Sequence, residues 1–425
     1  MSRWLAPLLL LASSAHAESI AITGADVWTN TADAPVRKAT IVISGGRIVS
    51  IEPAQPPPSS ARVFEAAGRV VTPPLDAAAT QIGLVEVASA SDTDDRAVHG
   101  GPLGAAFDVS LGVDVNDLTV QQARAAGVAR ALVFPGPAGN GIFAGQAARL
   151  NLAERADIVE RARVALFVTA GGAAAPVAGG SRAAIWGQLR NALTEARSVG
   201  ASPSTFKPRD QILNHVDIAA LLPVLQKRLP LAVVAQREAD IRQALAVGKD
   251  FGISLVIVGG AEAWRAAGLL ASRRVPVILD PLDELPVSYD SLGARRDNAK
   301  ILAEAGVTIG FMASGQGIYL SYNVGPALRE GAGIAVANGL PYAQALRAIT
   351  QNAAHIWGDL VPAGTLVPGG AADLVVWDGD PLEPASAPVA IFLKGSEISL
   401  RTRQTLLRDR YRSGSEERQS APASR

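Results

Sequence analysis

The sequence predicts an α/β fold organised around a parallel sheet, with a smaller β unit at the start of the chain. Between residues 72 and 360, short apolar runs alternate with stretches rich in Ala, Leu and Arg. The runs are continuous rather than alternating, which is typical of strands buried on both faces. They lie at 131–134, 164–168, 231–234, 254–258, 275–279 and 307–311. With a strand at 70–72 and another expected near Asp108, the number approaches the eight strands of a barrel, although a doubly wound sheet fits the same periodicity.

The two ends of the chain differ from this central region. From Ser19 to Val71, short strand-like runs are broken by Gly45-Gly46 and by the prolines at 56–58. This pattern predicts a small sheet domain. At the other end, residues 412–425 are rich in Ser, Glu, Arg and Pro, a composition that predicts a disordered tail.

Composition and charge limit the classes of function. The chain has 425 residues, of which 48% are hydrophobic, enough for one large core and a smaller second unit. Its 39 Lys and Arg residues equal its 39 Asp and Glu residues. No overall positive field therefore draws the protein to nucleic acid or to an anionic membrane.

The first residues predict export. Arg3 is followed by an apolar run at 4–12, and Ala15 and Ala17 fit a small-residue cleavage site. Residues 1–17 are therefore predicted to be a secretory signal peptide cleaved after Ala17, which implies a periplasmic or secreted protein. The run is about half of the roughly 20 residues that a membrane-spanning helix needs. The chain has no cysteine, so no disulfide supports the fold.

Two segments carry a family resemblance. Residues 72–83, TPPLDAAATQIG, resemble the first barrel strand of amidohydrolases, which typically reads T-P-G-L-I-D-A-H-T-H-I-G. Residues 363–382 resemble the family's returning sheet strands, G-x-L-x-P-G-x-x-A-D-L-V-V-W-D-G-D-P. The chain is thus similar to imidazolonepropionase-like and prolidase-like amidohydrolases over residues 19–411. The resemblance implies a (β/α)8 TIM-type barrel over 72–360 and a composite β-sandwich built from 18–71 and 361–411.

The resemblance also implies a divalent metal, commonly zinc, at the C-terminal ends of the barrel strands. Aligned without gaps, the family's histidine positions hold Ala, Gln, Val, Gln and Gly, and Ser replaces the aspartate that serves as ligand and general base. None of these residues ligates zinc in the usual way. The pocket candidates at the altered positions are Ala79, Gln81, Val234, Gln236, Gly259 and Ser314. We therefore expect no metal and no other cofactor.

Other chemistries have weaker support. Residues 136–141 are glycine-rich but lack the lysine of a phosphate-binding loop, and they predict a strand-to-helix loop. An acidic run at 92–95 offers oxygen ligands for calcium, or is a solvated loop. No histidine in the sequence is evidently placed to activate Ser314 as a nucleophile. Gln146 and Arg237 remain as possible ligand contacts, and Arg237 is equally consistent with an exposed residue at a helix start.

Three hypotheses follow. The first is an exported, non-catalytic or repurposed barrel that binds a small amide- or peptide-like ligand, or that pairs with an active amidohydrolase relative or with itself. The second, which the resemblance implies, is a hydrolase of carbon–nitrogen bonds, including dipeptide bonds, without the usual binuclear metal site. The third is a barrel that serves as the scaffold for a protein interface, which an exposed apolar patch would favour. The first accounts best for the altered ligand positions, because metal catalysis requires protein ligands.

Overall fold

The computed structural model describes residues 19–87, 89–153, 156–201, 213–283, 285–313, 322–359 and 362–419. The predicted signal peptide and Ser314 lie outside these residues. The strands of the described chain are β1 (Ile20–Val27), β2 (Val36–Ser44), β3 (Arg47–Pro53), β4 (Arg62–Glu65), β5 (Val70–Thr72), β6 (Leu75–Thr80), β7 (Val128–Val133), β8 (Phe143–Asn151), β9 (Val159–Thr169), β10 (Leu231–Ala235), β11 (Leu255–Gly259), β12 (Val277–Leu279), β13 (Ile309–Phe311), β14 (Leu374–Trp377), β15 (Pro388–Leu393) and β16 (Ser396–Glu397).

The helices of the same residues alternate with the later strands and then close the chain. They are α1 (Leu118–Ala125), α2 (Arg182–Ala201), α3 (His215–Leu225), α4 (Glu238–Phe251), α5 (Ala267–Ser272), α6 (Asn298–Glu304), α7 (Val324–Ala337), α8 (Tyr342–Ala348), α9 (Gln351–Ile356) and α10 (Arg403–Gln419). Within the described residues, no helix is both long and apolar enough to cross a membrane.

One sheet joins the two ends of the chain. Its order is β16-β15-β14-β5-β1-β2-β3, and β4 also pairs with β1. The returning strand β14 runs antiparallel to β5, with Val376 opposite Val71. The indole Nε1 of Trp377 donates to Thr72 Oγ1 at 2.9 Å, so this junction also satisfies a buried polar group.

The second sheet is a nearly closed barrel. Its strands follow chain order from β6 to β13, and β13 returns to contact β6. Neighbours are parallel except for β8, which runs antiparallel to both β7 and β9. The sequential order has no switch point, which excludes the doubly wound sheet. The predicted fold class, a TIM-type barrel with a sheet domain, is confirmed.

Three sequence expectations about the barrel were wrong. The strand expected at 70–72 is β5, which pairs with β1 and β14 of the other sheet, and the first barrel strand is β6. The strand expected near Asp108 is a single bridge to Gln146 followed by a short 3-10 helix, and the eighth strand is β8. The glycine-rich residues 136–141 therefore join two antiparallel strands, not a strand to a helix. The sequence of β8, FAGQAARLN, is rich in Ala and Gly, residues depleted in strands, so burial on both faces and not propensity makes it a strand.

The predicted disordered tail also needs correction. Helix α10 continues to Gln419, so residues 412–419 are helical in the described structure. Arg, Glu and Gln have favourable helix propensities, and the composition that suggested disorder also permits a helix.

A buried ion network lies at the N-terminal end of the barrel strands. The Arg149 guanidinium donates to both carboxylate oxygens of Asp76 and to Asp359 Oδ2, the last from Nη2 at 2.6 Å. Arg161 donates to the other oxygen of Asp359. Burial would lower the pKa of Arg149, but the two carboxylates beside it raise that pKa overall. The guanidinium is thus held charged inside the protein, and the network is structural.

Candidate functional site

Ligand sites of α/β barrels lie at the C-terminal ends of the strands, and the predicted pocket residues at this end are uncharged except for Arg237. Gln81 follows β6, Gln236 follows β10, and Gly259 ends β11. Ala79 and Val234 belong to an apolar cluster formed by the strands and the last barrel helix. Five of the six altered ligand positions are therefore described, and they divide into an apolar floor and a polar mouth.

The apolar floor is filled by side chains. Ala79 has no exposed surface. The rings of Phe134 and Phe167 stack with their centroids 5.2 Å apart, and the Trp357 ring lies 6.3 Å from that of Phe167. Trp357 Nε1 donates to the carbonyl of Ala78 at 2.7 Å, which fixes the indole beside the strand. This region offers packing and no metal ligand.

At the mouth, Gln81 is bonded to an arginine that the sequence did not single out. Arg96 Nη1 donates to Gln81 Oε1 at 3.1 Å, and Arg96 Nη2 lies 3.0 Å from Asp94 Oδ2. Gln81 is buried, whereas Arg96 and Asp94 are partly exposed. A guanidinium thus lies beside Gln81, a predicted pocket residue, and Asp94 is paired with that guanidinium.

The glycine-rich loop accommodates the segment that carries Arg96. Gly136 N donates to Arg96 O at 2.8 Å, and Gly139 N donates to Val98 O at 2.9 Å. A Cβ at position 139 would lie 2.6 Å from the carbonyl oxygen of His99. The glycines are therefore explained by close backbone approach, without a phosphate ligand.

Gln236 and Gly259 are interlocked at the ends of neighbouring strands. Gln236 Oε1 accepts a hydrogen bond from Ala261 N at 3.0 Å. Gly259 has φ of 96°, and a Cβ at this position would lie 2.5 Å from Gln236 Nε2. The backbone and the neighbouring carboxamide both disfavour a side chain at 259.

The two other candidates have different surroundings. Gln146 lies buried in β8, where its backbone N donates to Phe107 O at 2.6 Å. Arg237 precedes α4 and lines a groove at the barrel rim together with Arg182 and Arg265. Arg237 is thus a partly exposed residue at the barrel rim, immediately before the first turn of α4.

A buried acid, Asp240 of α4, also escaped the sequence analysis. Its Oδ1 accepts a hydrogen bond from Trp186 Nε1 at 3.3 Å, and its Oδ2 has no partner among the described residues. Burial raises the pKa of Asp240, Asp290 raises it further, and Arg237 and Arg182 oppose the change. In sequence, Asp240 has the ordinary appearance of an acid in the first turn of a helix.

The described residues do not fit the zinc that an amidohydrolase barrel implies. Ala79, Val234 and Gly259 have no donor atoms in their side chains. No group of three His, Asp or Glu side chains in the described chain is placed to hold a metal ion. His99, His215 and His355 lie exposed on a loop and two different helices. A catalytic zinc normally needs three protein ligands around one point.

Comparison with known proteins agrees with this fold. Residues 249–400 match the sequence model of the amidohydrolase family. An amidohydrolase from Thermotoga maritima MSB8 is similar over 90% of this chain and 100% of its own, at 23% identity and a TM-score of 0.79. A zinc-bound adenosine deaminase from Xanthomonas campestris is similar over 95% of this chain and 99% of its own, at 14% identity and a TM-score of 0.52.

A prolidase complexed with N-methylphosphonate-L-proline is similar over 90% of this chain and 99% of its own, at 16% identity and a TM-score of 0.53. No curated protein matches the chain by sequence. The chain therefore has the amidohydrolase fold, and the resemblance seen in its sequence is confirmed, with the family's sequence match in the later barrel strands and the returning sheet.

Proposed function

We propose that this protein is a non-catalytic or repurposed amidohydrolase barrel that binds a small amide- or peptide-like ligand at its mouth without a metal. The main support is that the described residues at the predicted metal-ligand positions already contact other parts of the protein. Gln81 Oε1 is bonded to Arg96, Gln236 Oε1 is bonded to Ala261 N, and a Cβ at Gly259 would meet the Gln236 carboxamide. A water molecule is not activated by such groups, because the usual hydroxide forms on a metal held by protein ligands.

The ligand class follows from the hydrogen-bonding groups that remain. No described residue accepts a hydrogen bond from Nε2 of Gln81 or of Gln236, although both Oε1 atoms are bonded. Each amide N–H group is a donor and suits a carbonyl oxygen. A carbonyl-rich ligand above an apolar floor matches this arrangement, as in an amide or a short peptide.

The alternative is a hydrolase of carbon–nitrogen bonds that works without the usual binuclear site. The hydrolases among the similar structures support it, including the prolidase and a phenylurea hydrolase B. A similar fold at such low sequence identity does not by itself imply the same activity, because function depends on the residues of the site. Under this alternative, turnover depends on Gln81, Gln236 and Ser314.

Export and partners belong to the same proposal. Residues 1–17 have the pattern of a cleaved signal peptide, which supports a periplasmic or secreted location. A barrel without its own metal site can also act beside an active relative or a second copy of itself. Cell fractionation followed by N-terminal sequencing of the mature protein tests the predicted export. We expect the mature chain to begin at Glu18.

The experiment combines binding and turnover. Proline-containing dipeptides and their N-acetyl amides are titrated calorimetrically into the protein, and the same mixtures are checked for released amino acids. We expect binding without hydrolysis, weakened roughly 3- to 10-fold in Gln81→Ala and Gln236→Ala, as for the loss of one hydrogen bond. Gln226→Ala, at the exposed end of α3, is the control. Hydrolysis that disappears in both mouth variants would establish the alternative, and neither binding nor hydrolysis would contradict both.

A further inference from the structure

The loop that follows β12 carries an exposed apolar surface. Between residues 281 and 297, four large apolar side chains lie largely in solvent. They are Leu285, Val287, Tyr289 and Leu292, with exposed fractions of 60%, 78%, 83% and 63%. Single exposed apolar residues are ordinary, but a set of this size on one short loop marks an interaction surface.

The backbone of this loop is fixed around the exposed side chains. The Asp290 carboxylate accepts hydrogen bonds from Gly172 N and from Arg182 Nη2, the latter at 2.6 Å. Gly293 N donates to Glu262 Oε1 at 3.0 Å, and Trp264 Nε1 donates to Gly293 O at 2.9 Å. Residues 290–293 are therefore held in place, which reduces the entropic cost of binding a partner beside Tyr289 and Leu292.

The groove beside this loop is lined by three arginines and two glutamates, together with Tyr289 and Leu292. It has a volume of about 590 Å³ and is open to solvent. Neither Arg237 nor Arg265 forms an ion pair with a carboxylate of the described residues. Arg237 acts on the buried Asp240 only through its field, and Arg265 lies over the Trp264 ring at 4.5 Å.

The acids that line the same groove already have partners. Glu262 accepts hydrogen bonds from Glu238 N through Oε2 and from Gly293 N through Oε1. Glu238 pairs with Arg242 at 2.8 Å. The backbone N–H groups do not cancel the charge of Glu262, so the three arginines and two glutamates of the lining leave a formal charge of +1. Arginine and tyrosine are enriched among the residues that dominate binding energy in protein interfaces.

We propose that this groove docks an acidic peptide segment of a partner protein. Carboxylates of the segment bind Arg237 and Arg265 through charge-assisted hydrogen bonds, and adjacent large apolar side chains pack on Tyr289 and Leu292. The groove is open to solvent, which suits a peptide segment. It adjoins Gln236, whose carbonyl accepts from Glu262 N at 2.8 Å, but it uses other side chains, so the proposal goes beyond the proposed function and does not depend on it.

The test uses the full mature chain and a defined probe, a fluorescein-labelled octapeptide that alternates Glu with Leu and Phe, compared with the same peptide carrying Gln for Glu. Binding is measured by fluorescence anisotropy at about 50 and 300 mM NaCl, because screening weakens exposed charge pairs. We expect the acidic peptide to bind about tenfold more tightly than the Gln peptide at low salt, and this preference to shrink at high salt.

Variants separate the two contributions to binding. Arg237→Ala combined with Arg265→Ala removes the preference for the acidic peptide, and Tyr289→Ser combined with Leu292→Ser weakens both peptides. Leu111→Ser and Arg37→Ala, exposed elsewhere, leave binding unchanged. Equal affinity for both peptides, an unchanged preference in the arginine variant, or no binding at all would overturn the proposal. Dipeptide binding at Gln81 and Gln236 is scored independently in the same preparations, and thermal melting verifies that each variant is folded.

Discussion

The Gln236 carboxamide occupies the space in which a side chain at Gly259 would begin. A Cβ at 259 would lie 2.5 Å from Gln236 Nε2, and Gly259 has φ of 96°. The sequence alignment predicts that both residues stand at positions where amidohydrolases carry metal-binding histidines. Histidine at position 259 would need an unfavourable backbone conformation and a displaced Gln236 carboxamide.

Gly259→Ala is expected to lower the free energy of unfolding by about 1–3 kcal/mol, because alanine is strained at positive φ and its Cβ meets Gln236. Adding Gln236→Ala relieves the clash and leaves the backbone strain, so the double variant recovers part of the loss. Gly268→Ala is the matched control, because Gly268 lies in α5 with open space around it. Urea unfolding measures all three. Equal stability of Gly259→Ala and the wild type would refute the interlock.

Arg149→Met is expected to destabilise the protein by about 3–5 kcal/mol, because it leaves the buried carboxylate of Asp76 without a cation and leaves Asp359 with Arg161 alone. Arg242→Ala breaks the exposed pair with Glu238 and should cost less than about 1 kcal/mol. Thermal and urea unfolding compare the two variants. Similar small losses for both would show that the buried network contributes no more than a surface pair.

Asp240→Asn should change how stability depends on pH. Because burial raises the pKa of Asp240 above its ordinary 3.8, the folded protein holds this proton more tightly than the unfolded chain. The stabilisation is complete below pH 3.8 and is lost as the pH rises through the folded pKa. Asparagine removes this loss and keeps an acceptor for Trp186.

Denaturant unfolding from pH 4 to 8 tests this expectation. The free energy of unfolding of Asp240→Asn should fall less with rising pH than that of the wild type, and the variant should be at least as stable at neutral pH. Asp250→Asn, on the exposed face of the same helix, controls for the loss of one negative charge. Parallel pH curves for wild type and Asp240→Asn would contradict the raised pKa.

Much of the fold was predictable because buried parallel strands appear in the sequence as short continuous apolar runs. Continuous apolar runs located β7 and β9 to β13, and the segment at 363–382 located β14. Strand β8 escaped because its Ala and Gly residues carry little strand propensity, and only its burial between β7 and β9 makes it a strand. Helix α10 escaped because composition alone does not separate a polar helix from a disordered tail.

For the site, the sequence alone predicts positions and not contacts. Alignment with a known strand pattern predicts that Ala79 and Gln81 stand at ligand positions, but it does not give their neighbours. Arg96 reaches Gln81 from a loop without periodicity, and Gln236 meets Gly259 across 23 residues of chain that form a helix and a strand. Such contacts depend on the closed barrel, and the sequence carries no local signal for them.

Metal content tests the central claim most directly. The protein is purified without chelators, and its metal is measured by mass spectrometry before and after incubation with excess zinc followed by dialysis. We predict less than about 0.1 equivalent of metal in both samples, because the described ligand positions supply no set of three donors. One or two tightly held equivalents would contradict the account and would establish a metal-dependent site in this barrel.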